Sequence, residues 1–387
     1  MNRVFKESFV PILGLLGFLF LLLLYVRYQV GLDADEVTVI TIQASVVEET
    51  ESGPLEEESE LLLANDNQAS EILALIMARK WRQAESRVKQ MTEVRNDSLA
   101  WSLFGILRYK QGKYNEALSF LDRAASMTPV WPKLFFYRAV VHSRLDKFDA
   151  AADDYRSVMQ FNENHFEAHY NLGLLLSRKK EYPEAVALLE RASALAGGAR
   201  KARAYYHLGY AWMRQGAEFY DQASVNFNLA IRHLPGFIEP RLALAKLHPD
   251  TEEGRETAER QLLEILELDA GNPSALFALA QLETASDNIN SALVHYQELM
   301  QFAPDHMAGR YNLALLLLKE GRWLEARDHF DRVIESDPQN VFTLFNRGRA
   351  NYRLEEYPSA IEDYQKALAS KNGDYPEALL NLGLVYV

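Results

Sequence analysis

An alanine returns at a nearly constant interval through most of this chain. It stands at Ala84, Ala117, Ala151, Ala185, Ala223, Ala258, Ala292, Ala326 and Ala360, in steps of 33, 34, 34, 38, 35, 34, 34 and 34 residues. Four residues after each comes a large apolar or aromatic side chain: Val88, Leu121, Tyr155, Leu189, Phe227, Leu262, Tyr296, Phe330 and Tyr364. Upstream a small residue recurs, at Gly105, Ala139, Gly173, Gly209, Ala245, Ala280, Ala314 and Gly348. A period of this length, with apolar residues at helical spacing on both sides of a break, implies two short amphipathic helices per unit. Neither helix can hide its apolar stripe alone. Stacking is what makes such units stable, so the chain grows by adding layers rather than by enlarging one core, and its 387 residues are no guide to domain number.

The stretch from Leu99 to Pro129 shows the unit best. Trp101, Phe104, Gly105 and Leu107 form one helical stripe, Gly112 marks a turn, and Tyr114, Ala117, Leu121, Ala124 and Pro129 complete the second half. This pattern resembles the tetratricopeptide repeat, over roughly residues 65 to 387. The resemblance implies an all-α right-handed superhelix, an α-solenoid of about nine hairpins plus one partial. Its units run 65–97, 98–131, 132–165, 166–201, 202–237, 238–272, 273–306, 307–340, 341–374 and a partial 375–387. Small residues are expected to let paired helices touch, and the large ones to fill the space between hairpins. Prolines at Pro129, Pro235, Pro304 and Pro338 end helices they cannot continue. Departures are local: Gly197, Gly198 and residues 217–222 lengthen the middle units, and His248, Pro249 and Asp250 break a turn. The unit around Ala84 lacks the glycine and aromatic signature, as a terminal cap would.

Before the repeats, Phe9 to Val26 is 18 residues without a charge. As a helix it reaches about 27 Å, against a hydrocarbon core of ~30 Å, so residues 1–28 are expected to be an uncleaved transmembrane anchor. Arg3 and Lys6 precede the span and Arg27 follows it, which favours repeats on the outer side, the periplasmic side if the membrane is a bacterial inner membrane. Residues 29–64 read as an acidic flexible linker: from Asp33 to Glu60 there are ten acidic residues and no lysine or arginine. The net charge of −13 therefore sits largely in the linker, and with no basic stripe the chain offers nucleic acid no electrostatic foothold. Absence of cysteine excludes disulfides, iron–sulfur clusters and thiolate zinc sites.

No phosphate loop, nucleophile elbow or HExxH motif occurs, and neither a cofactor nor a metal is expected. His165 and His169 lie four apart but have no third ligand in sight, so a structural role is expected for them. Asn96-Asp97-Ser98 is a glycosylation sequon, relevant only in a eukaryotic lumen. Binding is the remaining chemistry. In the family the first helices line a concave groove, and the position three before the small residue reads Ser102, Phe136, Tyr170, Tyr206, Leu242, Phe277, Tyr311 and Phe345. Such an aromatic column serves either packing between hairpins or a peptide groove. Next to it stand Asn171, Asn312 and Asn346, with Asn381 in the last unit. Their amides can bond a peptide backbone, as similar asparagines do in this family, or simply a neighbouring helix. A basic column, Lys110, Arg144, Arg178, Arg214, Lys319 and Arg353, ends the first helices, where cations complement the helix dipole.

The last segment, Tyr375 to Val387, matches a first helix without its partner, leaving Leu379, Leu382 and Tyr386 uncovered, so that either the natural chain continues past Val387 or another chain, a partner or a second copy, is expected to cover that end. Together these readings describe a non-catalytic, membrane-anchored scaffold that holds protein partners or extended peptide segments. The alternative is a regulatory or targeting subunit of an envelope polysaccharide or lipopolysaccharide assembly enzyme.

Overall fold

The computed structural model describes residues 66–128, 130–247, 251–371 and 374–386. The anchor and linker expected over 1–64 lie outside the described residues, and among those described no helix is long and apolar enough to cross a membrane. All regular structure in them is helical. The chain divides into two compact units, up to Ala196 and from Gly197. In the first, four hairpins follow in order: α1 (Asn67–Met77) with α2 (Trp81–Val94), α3 (Ser98–Lys110) with α4 (Tyr114–Ala125), α5 (Lys133–Arg144) with α6 (Phe148–Phe161), and α7 (Phe166–Arg178) with α8 (Tyr182–Leu195). The second holds five more. They are α9 (Gly198–Gln215) with α10 (Tyr220–His233), α11 (Ile238–Leu244) with α12 (Glu252–Leu268), α13 (Pro273–Ala285) with α14 (Ile289–Phe302), α15 (Met307–Lys319) with α16 (Trp323–Ser336), and α17 (Val341–Arg353) with α18 (Tyr357–Ser370). A lone α19 (Pro376–Val385) follows.

Two backbone devices make each regular hairpin. Most first helices begin with a side-chain cap: Asp66, Asp97, His165, Asn272, His306 and Asn340 each accept the N–H three residues on, at 2.9–3.3 Å. Each ends in a left-handed residue two positions before the second helix. Gly112 and Gly321 fill that place with φ of 76° and 77°, but Arg79, Asp146, Lys180, Asp287 and Glu355 adopt it too, with φ of 54–64°. The following N–H then closes back five residues, Lys113 to the Arg108 carbonyl and Glu356 to the Asn351 carbonyl, both at 2.9 Å. The turn glycine of the second hairpin is thus one occupant of a conformation shared by the seven regular hairpins.

Packing inside the hairpin explains the small residue. A Cβ built on Gly105 would lie 2.5 Å from the Leu121 Cγ and 3.2 Å from the Ala117 carbonyl oxygen. At Gly173 the same contacts come from Leu189 and Ala185, at Gly209 from Phe227 and Ala223, and at Gly348 from the Tyr364 ring. The bulky residue therefore seats on the small one of its own hairpin, a correction to the expectation that it fills the space between hairpins. The recurring alanine lets the second helix approach closely, and Leu121, Phe227, Phe330 and Tyr364 are all fully buried. Burial of a side chain such as Leu121 or Phe227 contributes about 1.5–3 kcal/mol.

Hairpins are joined to one another by arginines. Arg138 makes two bonds to Asp154 of its own hairpin, at 2.9 and 2.6 Å, and one to Asp122 of the preceding hairpin at 3.2 Å. Arg347 repeats this in the second unit, with Asp363 at 2.9 and 2.5 Å and Asp331 at 2.7 Å. In both cases the arginine directly precedes the small residue, Ala139 or Gly348. Burial opposes the Arg347 charge, but the carboxylate hydrogen bonds outweigh it and hold its pKa above the ordinary arginine value.

The lengthened middle units take an irregular form. A short 3-10 turn, Ala217–Phe219, precedes α10, α9 runs to 18 residues, and α11 stops after seven. Residues 248–250, where a broken turn was expected, lie outside the described residues; beyond them the Thr251 hydroxyl caps α12 by accepting the Gly254 N–H at 3.0 Å.

Candidate functional site

The aromatic column of the first helices holds the stack together from two sides. Toward its own hairpin five of the six rings meet the bulky residue of the second helix: Phe136 with Tyr155, Tyr206 with Phe227, Phe277 with Tyr296, Tyr311 with Phe330, and Phe345 with Tyr364, all with centroids 5.8–6.4 Å apart, while Tyr170 stacks on Phe166 of its own helix at 5.4 Å. Toward the next hairpin the column meets the residue that opens the following first helix. Phe136 lies 5.3 Å from His165, Tyr206 5.3 Å from Phe237, Phe277 4.8 Å from His306, and Phe345 5.1 Å from Tyr375. Aromatic pairs at such distances add about 0.5–1.5 kcal/mol beyond area burial. Tyr170, Tyr311 and Phe345 are buried, whereas Tyr206 and Phe277 stay partly exposed.

The asparagine column bonds across hairpin junctions. Asn171 shares a hydrogen bond with Tyr155 of the preceding hairpin, and Asn312 shares one with Tyr296. Burial, with these bonds working against it, pushes the Tyr296 hydroxyl up to about 12. Asn346 donates to the Tyr311 hydroxyl at 3.0 Å and to the Phe342 carbonyl at 2.9 Å, and accepts from the Arg349 guanidinium at 3.0 Å. Asn381 donates to the Glu377 carbonyl of its own helix at 2.7 Å. Asn171 and Asn346 are buried, while Asn312 and Asn381 are partly exposed. Of the candidate groove residues, Tyr206, Phe277, Asn312 and Asn381 show surface, whereas Tyr170, Asn171, Tyr311, Phe345 and Asn346 are buried.

The cations that end the first helices are engaged locally. Arg144 lies 5.8 Å over the Tyr114 ring, Arg178 lies 4.4 Å over Phe148, and Lys319 donates to Asp287 at 2.9 Å. His165 and His169 are likewise structural: Nδ1 of His165 accepts the Ala168 N–H, and Nδ1 of His169 lies 3.0 Å from the His165 carbonyl. Among the described residues no group of His, Cys, Asp and Glu is arranged to hold a metal ion. Sequence reasoning missed the cap column and the arginine clamps. A signal for the caps was present, since Asp97, His165, Asn272, His306 and Asn340 recur near the repeat period.

Known proteins match this geometry. Residues 102–164, 138–199 and 170–218 fit one tetratricopeptide repeat model, and residues 305–373 fit another. Protein O-mannosyl-transferase TMTC3 of Homo sapiens is 25% identical over 243 residues, 62% of this chain and 26% of that protein. E3 ubiquitin-protein ligase CHIP of Arabidopsis thaliana is 31% identical over 84 residues, 22% of this chain and 30% of that protein. The chain thus spans less than a third of the length of either relative. The C-terminal part of a TPR repeat-containing protein from Cytophaga hutchinsonii shares the fold, with a TM-score of 0.53 at 16% identity over 62% of this chain and 97% of that one.

Proposed function

We propose that this chain, whose hairpins are tetratricopeptide repeats, is a non-catalytic scaffold that binds protein partners along the first-helix face and assembles a membrane-associated complex. Tetratricopeptide repeats generally serve protein–protein interaction, and the observation that carries the reading here is the partly open surface at Tyr206, Phe277, Asn312 and Asn381. Phe277 offers flat apolar area, and Asn312 offers an amide at the equivalent part of the next first helix. Membrane attachment in this proposal falls to Phe9–Val26, through a single span that leaves the repeats on the periplasmic side of a bacterial inner membrane.

A photo-crosslinking residue at position 277 or 312 tests the face, with the exposed Glu259 position on α12 as control. Discrete protein adducts from 277 and 312, absent from 259, are the expected result. Adducts equal at all three positions, or at none, would remove the face from the proposal. Resistance of the full chain to alkaline extraction from membranes, lost on deleting residues 1–28, is the outcome expected for the anchor. Extraction of both forms alike refutes it.

A further inference from the structure

Two arginines two residues apart on α17 stand in opposite surroundings. Arg347 is clamped by Asp363 and Asp331. Arg349 has no carboxylate partner among the described residues: its guanidinium donates to the Asn346 amide oxygen at 3.0 Å and lies 6.0 Å from the centre of the Phe345 ring. Burial lowers its pKa from the ordinary arginine value, and the nearby Arg353 charge adds to the effect, the reverse of what Arg347 shows. Arg353 follows one turn later on the same side of α17 and is exposed. It is the exception among the cations that end the first helices. Arg178 and Lys319 each reach an aspartate in the turn of the preceding hairpin, Asp146 at 3.5 Å and Asp287 at 2.9 Å, in both cases 32 residues back. The same step from Arg353 ends on Gly321, and Arg353 makes no ion pair, hydrogen bond or ring contact among the described residues. The lack of a counter-charge thus follows from the residue in the preceding turn. Nor is a neighbouring helix missing. On one side α18 seats Tyr364 on Gly348, and on the other α19 is docked, with Ala378 fully buried and Leu382 packed in the cluster of Leu344 and Tyr364 rather than standing uncovered as expected.

We propose that Arg349 and Arg353 form a binding site for carboxylate groups on the protein segment that the first-helix face holds, an inference that rests on the scaffold function proposed above. A guanidinium pairs a carboxylate through two parallel hydrogen bonds, and two of them one helical turn apart suit either one carboxylate between them or two successive ones on an extended segment. The pair belongs to the face that carries Asn312, since Asn346 holds the same position one hairpin later and Arg349 lies one turn beyond Asn346 on α17. Asn346, buried and bonded to the Tyr311 hydroxyl, orients the Arg349 fork from below. A half-buried charge left without a counter-ion weakens the free chain, and a carboxylate arriving on a partner supplies what is lacking. In a chain of net charge −13, two adjacent cations that no carboxylate neutralises mark one place where an anion is attracted rather than repelled.

The test is fluorescence anisotropy with the 387-residue chain and three labelled probes: an amidated peptide of alternating glutamate and serine, its amidated glutamine and serine counterpart, and that counterpart with a free terminal carboxylate. Saturable binding is expected of the first if side-chain carboxylates are read, of the third if a terminal one is, and of the second in neither case. Arg349→Gln and Arg353→Gln should each weaken it about tenfold or more, and added salt should weaken it as well. Arg332→Gln, at an exposed position on α16, should leave it unchanged. Arg349→Gln keeps a donor for Asn346 and removes a charge without a counter-ion, so its thermal unfolding is expected at or above that of the parent, which excludes misfolding as the cause. Saturable binding of no probe, equal binding of all three, or indifference to both arginine variants overturns the inference. So does binding that emerges only when residues 33–60 are deleted, since the occupant is then the chain's own acidic segment. Discrete adducts at positions 277 and 312, together with indifference to both arginine variants, would leave the first-helix face standing and remove the carboxylate site alone.

Discussion

Helices α13–α18 and helices α9–α12 lie in the same compact unit and are built from the same repeat, yet they differ in what sets their ends. In the first block each first helix has 13 residues, opens on a capping side chain (Asn272, His306 or Asn340), and closes on a left-handed residue (Asp287, Gly321 or Glu355). In the second, α9 has 18 residues and α11 has seven, and neither begins with a side-chain cap. The notch nevertheless survives the irregularity, because Gly209 still receives Phe227. The small-on-large contact thus persists in a hairpin whose first helix has no side-chain cap. Both blocks bury polar groups: His207, Arg241 and Gln261 in the irregular one, Thr343, Asn346, Asn351 and Asp363 in the regular one, and Arg241 lies beside Glu264 at 3.2 Å.

The largest effect is expected from filling a notch. Gly348→Leu drives a side chain into the Tyr364 ring, whose Cε1 is 2.8 Å from the Cβ position, and should cost about 3 kcal/mol in urea unfolding. Gly236→Ala in the irregular block meets nothing within 4 Å and should stay within about 0.5 kcal/mol of the parent.

Acid should separate the blocks next. Burial, helped by Arg203, pushes His207 down to about 3, so the folded chain keeps it neutral while the unfolded chain protonates it below 6.5. Its contribution is complete above pH 6.5 and is lost as pH falls toward 3, at no more than about 1.4 kcal/mol per pH unit. Hydrogen exchange at pH 7 and pH 5 should show α9 and α10 losing protection, and His207→Gln should flatten that dependence.

Smaller still is the cap. Asn340→Ala removes the acceptor for the Thr343 N–H and should destabilise the chain by about 1 kcal/mol in thermal unfolding. Smallest and opposite in sign is Glu355→Gly, which relieves a side chain held at φ 63° and should stabilise by about 0.5–1 kcal/mol.

The helix pairs and the small and bulky columns were legible because they follow one period: Gly105 and Leu121 recur as Gly173 and Leu189. What the sequence obscured was direction. Phe277 and Tyr311 stand at the same helix position, yet one keeps surface and the other is buried, a difference that the repeat period alone does not carry. The asparagine column left a peptide ladder and a neighbouring helix both open in the sequence, and in the structure Asn171, Asn312 and Asn346 reach tyrosines of the preceding hairpin, a relation between units that no local pattern displays. The Arg138 and Arg347 clamps were hidden likewise, their partners lying 16 residues away on either side.

That a bulky residue seated in a notch of its own hairpin holds each unit together is tested most directly by a double-mutant cycle between Gly348→Ala and Tyr364→Ala in equilibrium unfolding. The account predicts strong coupling: the added methyl costs about 1–3 kcal/mol against tyrosine and little once the ring is gone. Costs that add to within about 0.3 kcal/mol would contradict it.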